Sequence, residues 1–157
     1  MPAAPQDVIR AQWERLSGLP LGKRLFALLL GRLVPYTGTL GARVEELGPG
    51  RAVVTMRERR ALRNHLRSIH AAALLNLGEL ATGLALNYAL PADARAILVS
   101  LCMDYHKKAR GTITATCHAP VPESAEEREY AVEAALRDAS GEVVATARAR
   151  WRVGPRA

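Results

Sequence analysis

Apolar positions along the chain change period twice. From residue 6 to 34 they recur at helical spacing, as at Leu25, Leu28, Leu29 and Leu33, which predicts one or two helices broken around Ser17 to Pro20 and closed by Pro35. This segment reads as a lid or packing element. Two short alternating stretches follow, GARVEEL and RAVVTMRER, and Gly48-Pro49-Gly50 between them predicts a hairpin. The helical period then returns from about His70 to Leu90, with Ser68 as the candidate N-cap and Pro91 as the stop. Beyond Pro91 the period is two. Ile97, Val99, Leu101, Met103 and Tyr105 alternate with Leu98, Ser100, Cys102 and Asp104; Ile113, Ala115 and Cys117 alternate with threonines; Tyr130, Val132, Ala134 and Leu136 run up to Ser140-Gly141. The last segment sets Val143, Ala145, Ala147, Ala149, Trp151 and Val153 against Arg148, Arg150 and Arg152, and the VGPRA tail is expected to fray. Antiparallel strands with one apolar face and a single long apolar helix predict an α+β domain in which the sheet wraps around that helix.

The central helix carries a polar line. At about 100° per residue, Asn76, Glu79, Gly83 and Asn87 fall on one narrow stripe, while Leu74, Leu77, Ala81 and Leu84 cluster elsewhere on the cylinder. A lone carboxylate in apolar surroundings is costly unless it finds a partner or a shifted pKa, so Glu79 is either a core residue tied to a neighbour or a chemical group. At the other end, the unpaired amides of the first turn, at Ala71 and Ala72, together with the helix dipole suit a developing oxyanion. Ala71 and Glu79 are eight residues apart, roughly 12 Å along a helix axis. One helix therefore cannot bring both within reach of one carbonyl carbon. If they share a site, two copies of the helix must run antiparallel past each other, in a two-fold dimer with two sites.

Composition narrows the function classes. A chain of 157 residues, about half of it apolar, fits one domain with a real core, and nothing in it suggests two. Its net charge of +7 points to anionic partners, or to an arginine-rich composition alone. The two cysteines, Cys102 and Cys117, sit in alternating strands without a paired framework, so a reduced, cytoplasmic setting is expected and neither reads as a nucleophile. The first residues carry acid and tryptophan where an export signal needs a basic start and an apolar core. The run LFALLLGRLV is too short to span a bilayer, and Asn76 and Glu79 interrupt the central stretch, so no membrane span is expected. His65, His70, Cys102, His106, Cys117 and His118 show no metal-ligand spacing, and no metal site is expected. Walker, dinucleotide-binding and Gly-x-Ser-x-Gly motifs are missing from the sequence. The arginine face at Arg148, Arg150 and Arg152 lacks an aromatic platform, which argues against nucleic acid.

Asn64, then His70 followed by two small residues, then a carboxylate nine residues beyond the histidine on a buried helix, all followed by long strands, resembles the hotdog-fold thioesterases. More narrowly it is similar to the phenylacetic-acid-type branch and to an uncharacterised hotdog family with the motif R-N-H-L-x-x-I-H-A-A-A-L. The likeness covers residues 38 to 153 as the hotdog core and leaves out the helical segment 6 to 34. It implies a sheet of five or six antiparallel strands around one long helix, within a single domain over 1–157. In that family the first glycine amide of His-Gly-Gly polarises the thioester carbonyl, and a carboxylate from the partner subunit acts as base or nucleophile. The resemblance thus implies His70 as the motif histidine, Ala71 as the oxyanion donor, Glu79 as the catalytic carboxylate and Asn64 as an amide that positions carbonyl or water.

His-Ala-Ala replaces His-Gly-Gly here, keeping the amide and adding methyl groups beside it. Gly83 stands where relatives carry Ser or Thr to hold water, leaving Thr82 or Asn76 to substitute, with Ala72 beside the carbonyl. Tyr105, Lys107, Lys108 and Arg110 lie in a basic run that is either a solvated strand end or, by the resemblance, the place for the phosphates of coenzyme A. The expected activity is hydrolysis of a fatty or aromatic acyl-CoA by a homodimer or a dimer of such dimers, with no cofactor besides the coenzyme A of the substrate. The alternative is a non-catalytic module that binds or senses acyl-CoA or a fatty acyl chain.

Overall fold

The computed structural model describes residues 4–156. The expectation of one domain over 1–157 extends slightly beyond them at both ends. In chain order the elements are α1 (Pro5–Leu16), α2 (Gly22–Leu33), a short α3 (Pro35–Gly38), β1 (Arg43–Gly48), β2 (Arg51–Arg57), a single 3₁₀ turn (Arg60–Leu62), α4 (Ala71–Asn87), β3 (Ala94–Tyr105), β4 (Thr112–His118), β5 (Arg128–Arg137) and β6 (Val143–Pro155). The six strands form one sheet in the order β1-β2-β4-β5-β6-β3, each neighbouring pair antiparallel. α4 lies across this sheet and touches all six strands, which is the hotdog architecture.

Alternation makes the concave face. Ala52, Val54 and Met56 of β2, Ile113, Ala115 and Cys117 of β4, and Val132, Ala134 and Leu136 of β5 are buried with Leu74, Leu77, Ala81 and Ala85 of α4. Full burial of a side chain such as Leu77 stabilises the fold by roughly 1.5–3 kcal/mol. β6 faces the helix with Ala145, Ala147 and Ala149, and these small side chains let the helix sit deep. At Gly78 a Cβ would stand 2.4 Å from the Ala147 Cβ and 3.0 Å from the Met103 methyl, so only glycine fits there.

The N-terminal segment breaks where expected. α1 ends at Leu16 and α2 begins at Gly22, where a Cβ would lie 1.7 Å from the Leu16 carbonyl oxygen. Trp13 meets Phe26 edge to face with ring centroids 5.1 Å apart. α1 is strapped to the core by Gln6 Nε2 donating to Ala94 O at 2.8 Å and Arg10 Nη2 donating to Leu90 O at 3.1 Å.

Four local expectations are corrected. The N-cap of α4 is His70, not Ser68, which is held in the preceding loop. A β-bulge between Leu98 and Ser100 reverses the phase of β3, so Leu98, Leu101 and Met103 pack on the core while Ile97 and Val99 face solvent on an edge strand. A second irregularity, between Leu136 and Arg137, buries Val144 beside Ala145 where Val143 was expected to face inward. The tail is ordered through Pro155, paired with Ala94, and Arg156 N donates to Asp93 O at 2.8 Å, while Ala157 lies outside the described residues.

Replacing Gly78 by Ala is expected to destabilise the protein by about 1–3 kcal/mol through overpacking against Ala147. A denaturant midpoint equal to that of the wild type would show that the helix does not sit at this depth.

Candidate active site

The loop before α4 is wound around one side chain. Asn64 Oδ1 accepts from Leu66 N at 2.9 Å and from Ser68 N and Ser68 Oγ at 3.2 Å, with Arg67 at positive φ between them. Ile69 N donates to Ala109 O and His70 N to Leu62 O, which delivers His70 to the helix start. The His70 ring turns back, and its Nδ1 accepts from Ala72 N at 3.0 Å. That bond requires an unprotonated Nδ1 and removes Ala72 from the amides open to a ligand. Ala71, the first residue of the helix, keeps its N–H without an acceptor among the described residues. Its carbonyl accepts from Tyr105 Oη at 3.0 Å, pinning the first turn to the end of β3. Partial burial raises the Tyr105 pKa and keeps that phenol a donor.

Asn64, Ala71, Tyr105, Lys107 and Lys108 line a common cleft of about 270 Å³ at this end of α4. Lys107 is already engaged, with Nζ 2.8 Å from Asp138 and also bonded to Glu142. Asp138 and then Glu142 raise its pKa, and Lys107 in turn lowers that of Asp138. Lys108 and Arg110 have no ion-pair partner among the described residues; Arg110 stands outside the cleft.

Two turns along the helix, Glu79 is half-buried and its carboxylate joins none of the side-chain hydrogen bonds or ion pairs of the described residues. The core-tether reading of Glu79 therefore finds no tether. With Gly83 and Asn87 it lines a groove of about 740 Å³, walled by Ile9, Leu30, Val34, Leu80 and Leu84. Trp151 closes this groove behind Gly83, where a Cβ would sit 3.1 Å from the indole. Thr82 is fully buried, its hydroxyl donating to Glu79 O at 3.0 Å and accepting from Trp151 Nε1 at 3.3 Å, so it has no free face for water. Asn76 is also buried: Thr37 Oγ1 donates to its Oδ1 at 3.0 Å, and its Nδ2 has no partner. With His70 and Ala72 it borders a separate hollow of about 210 Å³ beneath α3.

The candidate residues thus fall into three places along one helix. Asn64, Ala71, Tyr105, Lys107 and Lys108 share the N-terminal cleft; His70, Ala72 and Asn76 border the hollow; Glu79 and Gly83 line the groove. Within one subunit Ala71 and Glu79 remain two turns apart.

Three features have no local signature in sequence. Glu58 accepts from Arg63 Nε and from Gly111 N, both at 2.6 Å, clamping the site loop to the turn after β3. Trp151 reads as one more inward residue of β6. The groove's outer wall, Ile9 of α1 with Leu30 and Val34 at the end of α2, comes from far away in sequence. Cys117 is buried, and burial pushes its thiol pKa up to about 12, which keeps it protonated and inert. No cluster of three or more metal-ligating side chains occurs among the described residues, and no described helix is long and apolar enough to cross a membrane.

Residues 22–153 match a family described as a domain of unknown function, DUF4442. No curated protein matches the chain in sequence. Among solved structures, the protein APC5556 is similar over 95% of this chain and 99% of its own, at 24% identity and a TM-score of 0.82. PA5026 of Pseudomonas aeruginosa, described as a protein of unknown function and probable thioesterase, is similar over 88% of this chain and 97% of its own, at 26% identity and 0.76. A thioesterase family protein of Silicibacter pomeroyi is similar over 83% and 96%, at 22% identity and 0.71.

The Gly111 amide, then Arg63, hold the Glu58 carboxylate below the usual glutamate range. A depressed folded-state pKa contributes stability that is present above the unfolded value and lost as pH falls through the folded one. Stability should therefore drop on acidification from the ordinary glutamate range downward, and Glu58→Gln should flatten that part of the profile. Melting curves across this range check it; an unchanged acid slope in the variant would contradict the clamp.

Proposed function

The chain belongs to the DUF4442 family, and from its hotdog fold and the arrangement on α4 we propose that it is an acyl-CoA thioesterase whose sites are completed by a second copy of the chain. The carrying observation is the pair of unengaged groups on one helix, the Ala71 N–H at its start and the Glu79 carboxylate two turns on. One suits the oxygen of a carbonyl and the other a water or the carbonyl carbon. The description of PA5026 as a probable thioesterase supports the same activity class.

Ala71 and Ala72 are exposed and Leu75 and Glu79 half-buried, so one side of α4 is open. Leu75 is midway between Ala71 and Glu79. A two-fold axis beside Leu75 brings Ala71 of one copy against Glu79 of the partner subunit. The edge strand β3, with Ile97 and Val99 exposed, offers the sheet surface for the same pairing.

In this arrangement the thioester oxygen accepts from Ala71 N, assisted by the positive end of the helix dipole. Glu79 takes a proton from water as the water oxygen bonds to the carbonyl carbon. In the covalent alternative it attacks that carbon itself, the departing thiolate takes its proton from solvent, and water then hydrolyses the acyl-glutamyl anhydride to free the acid and restore Glu79. Negative charge collects on the oxygen held by Ala71; on collapse the C–S bond breaks, and coenzyme A leaves as the thiol with a proton returned to sulfur. Lys108 and Arg110, which have no ion-pair partner among the described residues, supply the phosphate contacts, and Lys107 holds the β5–β6 turn. The acyl chain lies in the apolar groove beside Glu79.

Glu79→Gln should lower thiol release from the best acyl-CoA substrate by roughly 10²–10⁴-fold while leaving acyl-CoA binding intact. Wild-type turnover in that variant would refute the mechanism. Saturable binding with no thiol release from any acyl-CoA, even in the wild type, would favour a non-catalytic acyl-binding module.

A further inference from the structure

Large apolar side chains exposed on this molecule concentrate in one segment. Leu19, Leu21, Leu25, Leu28, Leu33, Val34 and Tyr36 are all exposed and all lie in and around α2. At about 100° per residue, Leu25 and Leu28 project opposite the buried Phe26 and Leu30, and with the exposed N-cap residue Leu21 they form an outward ridge with no core to bury them. Their exposures of 71%, 47% and 60% are those of side chains facing water. Arg24 and Arg32 share that arc, exposed and without a partner among the described residues. Between Glu14 and Glu45 the sequence holds no acidic residue, while Arg15, Lys23, Arg24, Arg32 and Arg43 are cationic.

Glu45 lies beside Leu19 and Leu21 but is taken up by Lys23 and Arg43. An apolar ridge whose unpaired charges are the guanidinium groups of Arg24 and Arg32 fits an anionic lipid surface, with leucines entering the headgroup boundary and guanidinium groups on the phosphates. A second copy of the chain fits it poorly. A two-fold contact through the ridge would set Arg24 and Arg32 against their own counterparts, with the neighbouring Glu45 already taken up by Lys23 and Arg43. We propose that the outward face of α2 docks this protein on anionic membranes, lying in the interface without crossing it.

The location gives the docking a use. A cleft of about 920 Å³ opens beside the ridge, lined by Leu28, Leu30 and Leu80 with Arg24 and Arg57 at its edge. It shares Leu30, Thr37 and Leu80 as walls with the groove beside Glu79, so docking through the ridge sets the bilayer next to the cavities that lead up to that carboxylate. The docking surface itself stands independently of the thioesterase reading.

Co-sedimentation with phosphatidylcholine vesicles, and with vesicles that also contain phosphatidylglycerol, tests the proposal. The protein should bind the anionic vesicles, release from them at high salt, and bind neutral vesicles far less. Leu25→Ser/Leu28→Ser and Arg24→Gln/Arg32→Gln change only exposed side chains, and each pair should weaken binding by roughly tenfold or more. Failure of the wild type to bind anionic vesicles would overturn the proposal, as would binding that survives both double substitutions. A fall in the solution mass of the Leu25→Ser/Leu28→Ser variant would also overturn it, by showing that the ridge is an interface between copies.

Discussion

The approach of Gly78 to Ala147 sets how deeply α4 lies in its sheet, and with it the position of every group the helix carries. The alanines of β6 and the glycine of α4 act together. A larger side chain at either place would lift the helix and shift its first turn away from Tyr105, whose hydroxyl holds the Ala71 carbonyl. Because α4 touches all six strands, its axis is fixed against the whole sheet. A rigid helix offers fixed positions for chemistry, which loops supply less reliably. The same rigidity keeps Ala71 and Glu79 apart.

The start of α4 shows how one residue can select one amide. His70 caps the helix through Nδ1 and consumes the Ala72 N–H, leaving Ala71 as the donor that points past the helix end. The methyl groups of His-Ala-Ala are tolerated because both alanines are exposed. The neighbouring loop is built for stiffness. Asn64 Oδ1 accepts three bonds within the loop, and Glu58 ties that loop to Gly111. Farther along, Trp151 stacks where Gly83 leaves room, so the wall of the groove comes from the last strand while its other side comes from the N-terminal helices.

Much of this was legible in the sequence, for identifiable reasons. The hairpin, the central helix and the last strands follow from periodicity, because each element has one buried face. The polar stripe from Asn76 to Asn87 was also legible, since helical spacing alone defines it. Its divided fate was not: α3 lays Thr37 over Asn76, whereas Glu79 stays open to the groove. The phase of β3 was missed because a bulge changes which side chains face inward without changing the residue types. Ser68 resembled a cap, but the loop around Asn64 consumes it. Lys107 looked free until folding brought Asp138 and Glu142 beside it. Each miss arises from a partner distant in sequence or from a backbone irregularity that composition does not mark.

The proposal that two copies complete each site is tested directly with two variants that fail for different reasons. Ala71→Pro removes the N–H at the first helical position, where proline is tolerated, and Glu79→Gln removes the carboxylate. In the proposed dimer each variant alone would lack one half of every site. Mixing them through subunit exchange creates heterodimers with one intact site and one doubly defective site, so thiol release should recover to about a quarter of the wild-type level at equal proportions. Mixtures that exchange subunits yet remain as inactive as either parent would contradict a site shared between copies.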